Sequence, residues 1–145
     1  MSRKLSKSPK EITIEWSYPK LIENVLNNPK STDENWGLYQ ISTKTDTDID
    51  FLYIGKSWND YHKRLKSHRK DWFDKYDGQK YVRFGSFISA VTQSELGEIE
   101  SAIIYQTELK HNIKSTSSYT YTNFYEILSV GNRGIVPSLI LTREH

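Results

Sequence analysis

Apolar residues concentrate first in two short runs, Trp36-Gly37-Leu38-Tyr39-Gln40-Ile41 and Phe51-Leu52-Tyr53-Ile54-Gly55. Between them, Thr43 to Asp50 is polar and rich in Thr and Asp. Aromatic and β-branched runs around such a segment predict a β-hairpin, with strands roughly over 36–43 and 50–56. Each run carries one glycine and one tyrosine. A glycine in a strand marks a close backbone approach or a bend. The two tyrosines suit either a shared surface or the core.

The remaining apolar positions recur with helical spacing. Leu21, Ile22, Val25 and Leu26 predict a short capping helix opened by Pro19 and stopped at Asn27-Asn28-Pro29. Tyr61, Leu65, Trp72 and Tyr76 predict a second helix over about 60–76, capped by Asn59 or Asp60. Lys80 to Ile88 reads as a third strand. Thr92-Gln93-Ser94-Glu95 is a capping box, predicting a third helix to about Lys110 with Leu96, Ile99 and Ile103 inward. On that helix Glu100 falls roughly 60° from the apolar stripe and Glu98 roughly 140° away. Glu100 therefore sits at the core edge, where a carboxylate needs a basic partner or a metal, and Glu98 points to solvent. Tyr119 to Val130 reads as one or two strands or an irregular extension, and Gly131-Asn132-Arg133-Gly134 as a turn. Residues 1 to about 15 read as a basic, mobile arm. The tail from Ile135 carries no clear signal.

Composition narrows the classes. The 145 residues suit one domain with one core. There is no cysteine, which excludes disulfides, thiolate metal sites and cysteine nucleophiles. No apolar run is long enough to cross a membrane, and a cytoplasmic protein of prokaryotic or phage type is expected. The net charge is only +2, but the segment from Lys56 to Arg83 holds nine Lys or Arg against four Asp. That local excess lies beside Trp58, Tyr61, Trp72, Tyr81 and Phe84, which points toward nucleic acid.

Set together, these residues resemble the GIY-YIG nuclease superfamily, in the manner of its restriction and homing members. The first motif stands as Gly37-Leu38-Tyr39, with Leu in place of the usual Ile, and the second stands intact as Tyr53-Ile54-Gly55. Arg64 and His68 occupy the places of the family's arginine and histidine. Glu100-Ser-Ala-Ile-Ile matches the helix that bears the metal-binding glutamate, and Asn112 matches the family's asparagine. The proline that usually precedes that asparagine is missing. The resemblance covers about residues 36–113.

It implies an α+β fold: a small three-stranded antiparallel sheet flanked by helices, with N- and C-terminal extensions. The expected organisation is a basic arm and capping helix over 1–35, a nuclease core over 36–113 and a packed extension over 114–145. The implied activity is Mg²⁺- or Mn²⁺-dependent endonucleolytic hydrolysis of double-stranded DNA. The alternative is a binding module that keeps the fold without turnover. The implied catalytic set is Tyr39, Tyr53, Arg64, His68, Glu100 and Asn112, with Glu100 holding the metal. Arg64 offers a planar fork to phosphate. His68, one turn on, would polarise a tyrosine or transfer a proton, and Tyr39 would activate water through a lowered pKa. Lys56, Lys63, Lys66, Arg69 and Lys70 are the expected DNA contacts.

Overall fold

The computed structural model describes residues 9–28, 36–107, 109–111 and 124–142. Among these, the elements follow as β1 (Lys10–Trp16), β2 (Lys20–Leu21), α1 (Ile22–Asn27), β3 (Gly37–Lys44), β4 (Ile49–Ser57), α2 (Tyr61–Asp71), β5 (Gln79–Phe87), α3 (Gln93–Tyr105), β6 (Tyr125–Gly131) and β7 (Leu139–Leu141). A single 3-10 turn, Phe73–Lys75, follows α2.

The hairpin forms close to its expected bounds, with Tyr39 opposite Gly55 and a register shift at Ile41/Ser42. The expected three-stranded sheet does not hold. The strands β4, β3 and β5 are one end of a seven-stranded mixed sheet, ordered β4-β3-β5-β1-β6-β7 with β2 also on β5, and the sheet curls into a half-barrel. The reason lies outside the hairpin. Ile12, Ile14 and Trp16 alternate with polar residues and are buried, which makes Lys10–Trp16 an inner strand in place of the expected arm. It pairs antiparallel with β5 and parallel with β6. Tyr125, Ile127 and Ser129 repeat the same alternation on β6.

Two cores result. On one face, α1 and α2 cover Tyr39, Ile41, Leu52, Val82 and Phe84. On the other, Leu96, Ile99 and Ile103 of α3 meet Ile54 of β4 together with Ile12 and Ile14 of β1 and Tyr125 and Ile127 of β6. A helix that touches strands so far apart in the order lies in the concave side of the curl. Its start is fixed by the expected capping box, in which Thr92 Oγ1 accepts from the Glu95 N–H and Glu95 Oε1 from the Thr92 N–H. Asp60 caps α2, accepting from the Lys63 N–H. The helix stops at Trp72, whose φ of −150° and ψ of −3° are not helical, earlier than the apolar spacing predicts.

Candidate active site

Tyr39 and Tyr53 stand on adjacent strands with ring centroids 6.0 Å apart. Gly55 makes this possible. A Cβ there would lie 2.5 Å from the Tyr39 hydroxyl oxygen and 2.6 Å from Cε2 of Tyr53. Gly37 has a φ of +135°, and a Cβ on it would lie 2.6 Å from the Gly85 carbonyl oxygen. Both glycines of the motif are thus required by close approach.

The turns of α2 sort its side chains by direction, at about 100° per residue. Tyr61 and Leu65 enter the core. On one flank His62 Nε2 donates to the Val25 carbonyl at 2.9 Å and Arg69 pairs with Glu23 at 3.1 Å, docking α1. On the other flank Arg64 and His68 reach the tyrosines. Lys63, Lys66 and Lys70 lie outside and exposed. The expected DNA contacts therefore divide. Those three lysines share the outer face, Lys56 lies within the site, and Arg69 is engaged on the α1 side.

The hydrogen bonds around His68 fix its tautomer. The Trp72 Nε1–H donates to His68 Nδ1 at 2.8 Å. An indole N–H cannot accept, so Nδ1 bears no hydrogen and the neutral ring carries its hydrogen on Nε2. His68 Nε2–H then donates to the Tyr39 hydroxyl oxygen, 2.7 Å away. Burial, with the Arg64 charge second, lowers the His68 pKa to about 4. His68 polarises Tyr39 and does not take its proton. The Arg64 guanidinium also lies near both tyrosines, where its charge opposes their raised pKa values. With the His68 donor on its oxygen, Tyr39 keeps its own hydrogen to donate.

This arrangement corrects the expected acidity of Tyr39. Burial raises its pKa above the ordinary phenol value and the charge of Tyr53 adds to that, while Arg64 only opposes it. Tyr53 is raised as well, by burial and then by Glu100. Both tyrosines are neutral, and Tyr39 is fully buried. Neither is an ionised base at rest.

Glu100 is half-buried, as its helical phase predicts, and Lys56 Nζ lies 3.4 Å from its Oε1. Burial raises its pKa against the pull of Lys56 and Arg64. Glu98 departs from its expected exposure. It is half-buried and accepts from the Tyr125 hydroxyl at 2.6 Å, because the curled sheet carries β6 to the far side of α3.

The donors fit a hard divalent cation in one way. Glu100 supplies a carboxylate, and substrate phosphate and water would supply the remaining oxygens. Among the described residues no three His, Asp or Glu side chains converge, so they form no all-protein cage. Asn112 lies outside the described residues. Its neighbour His111 donates its backbone N–H to the Leu52 carbonyl at 2.8 Å and stacks on Trp72, with centroids 4.0 Å apart and planes 16° from parallel. The sequence reading misses Trp72 as the residue that orients His68. Its i, i+4 spacing from His68 is the available signal.

No family model, no curated protein and no solved structure matches the chain.

Proposed function

We propose that this chain is a metal-dependent endonuclease that hydrolyses DNA phosphodiester bonds, as its resemblance to GIY-YIG nucleases implies. One observation carries the reading: Arg64, an exposed side chain, lies beside Tyr39 and Tyr53 and near a half-buried Glu100. An exposed, pre-oriented guanidinium is a phosphate receptor. Arg64 receives a non-bridging phosphoryl oxygen and stabilises the charge that grows there during attack. Tyr53 orients the attacking water. Tyr39 and His68 hold Tyr53 and Arg64 in register. Glu100 holds Mg²⁺ or Mn²⁺, which when bound supplies Lewis-acid stabilisation of the phosphate. The outer lysines of α2 bind the DNA backbone.

The Lys56–Glu100 pair favours a second reading, because it occupies the one carboxylate of the site: a nucleic-acid-binding module without turnover. Incubating supercoiled plasmid with the protein in Mg²⁺ and in EDTA separates the two. Nicked or linear product in Mg²⁺ alone supports the nuclease. Intact plasmid in both, with salt-dependent DNA binding, supports the module.

A further inference from the structure

A recess lies next to this cluster, between the β4–α2 loop and the start of α3. Its volume is about 230 Å³, and Arg64 and Lys56 stand on its wall. Trp58, Asn59, Asp60 and Gln93 also line it, and buried Ser57 holds the Asp60 N–H with its hydroxyl. Trp58 is 38% exposed. It is nevertheless backed. The Trp36 ring lies 5.2 Å from it, and Trp36 stacks on Phe87 at 5.5 Å with planes 10° apart. An exposed indole packed at a tilt against a stacked pair of rings offers apolar surface beside the polar groups of the recess.

We infer that this recess receives one unstacked nucleobase of the nucleotide that adjoins the phosphate on Arg64. The inference rests on the nuclease reading for its phosphate and deepens it by naming a base subsite. The size is apt. The volume is below the roughly 300–1,000 Å³ of sites for drug-sized ligands, and a single planar ring system is what it holds. The chemistry is apt too. Every nucleobase has a π-face for Trp58, and side-chain amides both donate and accept, as base edges do. Arg64 and Lys56 on the same wall supply the phosphate contact that a nucleotide carries beside its base. The recess therefore selects a base that has left its stack, at a nick, a mismatch, a single-stranded end or a flipped position.

The test separates base from backbone. Fluorescein-labelled oligothymidylate of eight nucleotides and an abasic oligomer of equal length carry the same phosphates. Their affinities for the full chain are measured by anisotropy in EDTA, where no cleavage intervenes. The expected result is about tenfold tighter binding of oligothymidylate, at the lower end of one base stacked on an aromatic ring. Trp58→Ala brings the two affinities together, and Trp58→Phe keeps most of the difference. A melting curve equal to the parent's shows that each variant folds. Equal affinity of the parent for both oligomers overturns the inference, and so does a preference that survives Trp58→Ala. The plasmid assay is independent. A protein that prefers bases through Trp58 and leaves plasmid intact in Mg²⁺ retains the recess and loses the nuclease reading. One that cleaves plasmid and ignores bases does the reverse.

Discussion

Tyr39→Phe probes the network most directly, because it removes one oxygen and keeps the buried ring. That oxygen accepts from His68 Nε2–H at 2.7 Å. Without it this donor loses its acceptor. A buried donor left unsatisfied costs about 1–3 kcal/mol. His68 is only half-buried, so water restores part of the loss. The expected destabilisation is about 1–2 kcal/mol, in the lower half of that range. For a chain of this size this lowers Tm by roughly 3–6 °C. Thermal unfolding followed by circular dichroism measures it, and a double-mutant cycle assigns it. In a His68→Leu background, Tyr39→Phe has no histidine donor to strand, so its cost should shrink by about 1 kcal/mol. Magnesium-dependent cleavage should fall in the single variant as Tyr53 and Arg64 lose their anchor. Additive costs in the cycle, with Tm unchanged in Tyr39→Phe, would refute the His68–Tyr39 bond and the tautomer deduced from it.

Four other outcomes follow from the same geometry. Glu100→Gln should abolish Mg²⁺-dependent plasmid cleavage and leave DNA binding intact, because an amide is a poor ligand for a hard cation. Glu98→Gln should cleave normally but unfold more easily by about 1–2 kcal/mol, since the Tyr125 hydroxyl loses a charged acceptor; the reverse pattern in the two assays would falsify the assignment of Glu100. Arg64→Lys should cut the cleavage rate at least tenfold with little change in DNA affinity, because charge survives and the two-pronged contact does not; a parental rate would leave Arg64 as a surface charge. His68 sets a pH dependence: its folded pKa of about 4 lies below the ordinary histidine value of 6.5. The unfolded chain therefore takes up the proton first, and stability falls as pH drops from about 6.5 through 4. Because the ring is partly exposed, the loss should be about 1 kcal/mol, well under what the full shift implies. In His68→Leu that part of the stability–pH curve should flatten, and an unchanged slope would show that the ring titrates normally.

The parts of this structure that were legible in the sequence are those set by local pattern. The hairpin follows from two apolar runs around a polar turn, and α3 from its capping box and its inward Leu96, Ile99 and Ile103. What the reading missed is what the chain does at long range. Lys10–Trp16 carries a clean alternation of period two, yet the lysines before it suggested an arm, and its partners β5 and β6 are far away in sequence. The strand β7 is three residues long, too short for a pattern to register. The curl that these strands produce also explains Glu98. Helical phase places it away from the apolar stripe, but a helix seated inside a concave sheet is covered on more than one side.

The polar cluster was legible as a set of residue types and not as a set of roles. Spacing puts Arg64 and His68 on one flank of α2, but only the Trp72 indole decides which nitrogen of His68 bears the hydrogen. That decision passes along the cluster. A donating His68 makes Tyr39 an acceptor and leaves Tyr39 its own hydrogen to donate. Charge orders the site in the same way. Lys56 and Arg64 surround Glu100, so a divalent cation arriving alone meets two positive groups and a carboxylate already paired. On the proposed nuclease reading a phosphodiester would alter that balance. It would draw both cations toward its own oxygens, release the carboxylate and bring further oxygen ligands. Cation and DNA are therefore expected to bind this site cooperatively, each completing what the other needs.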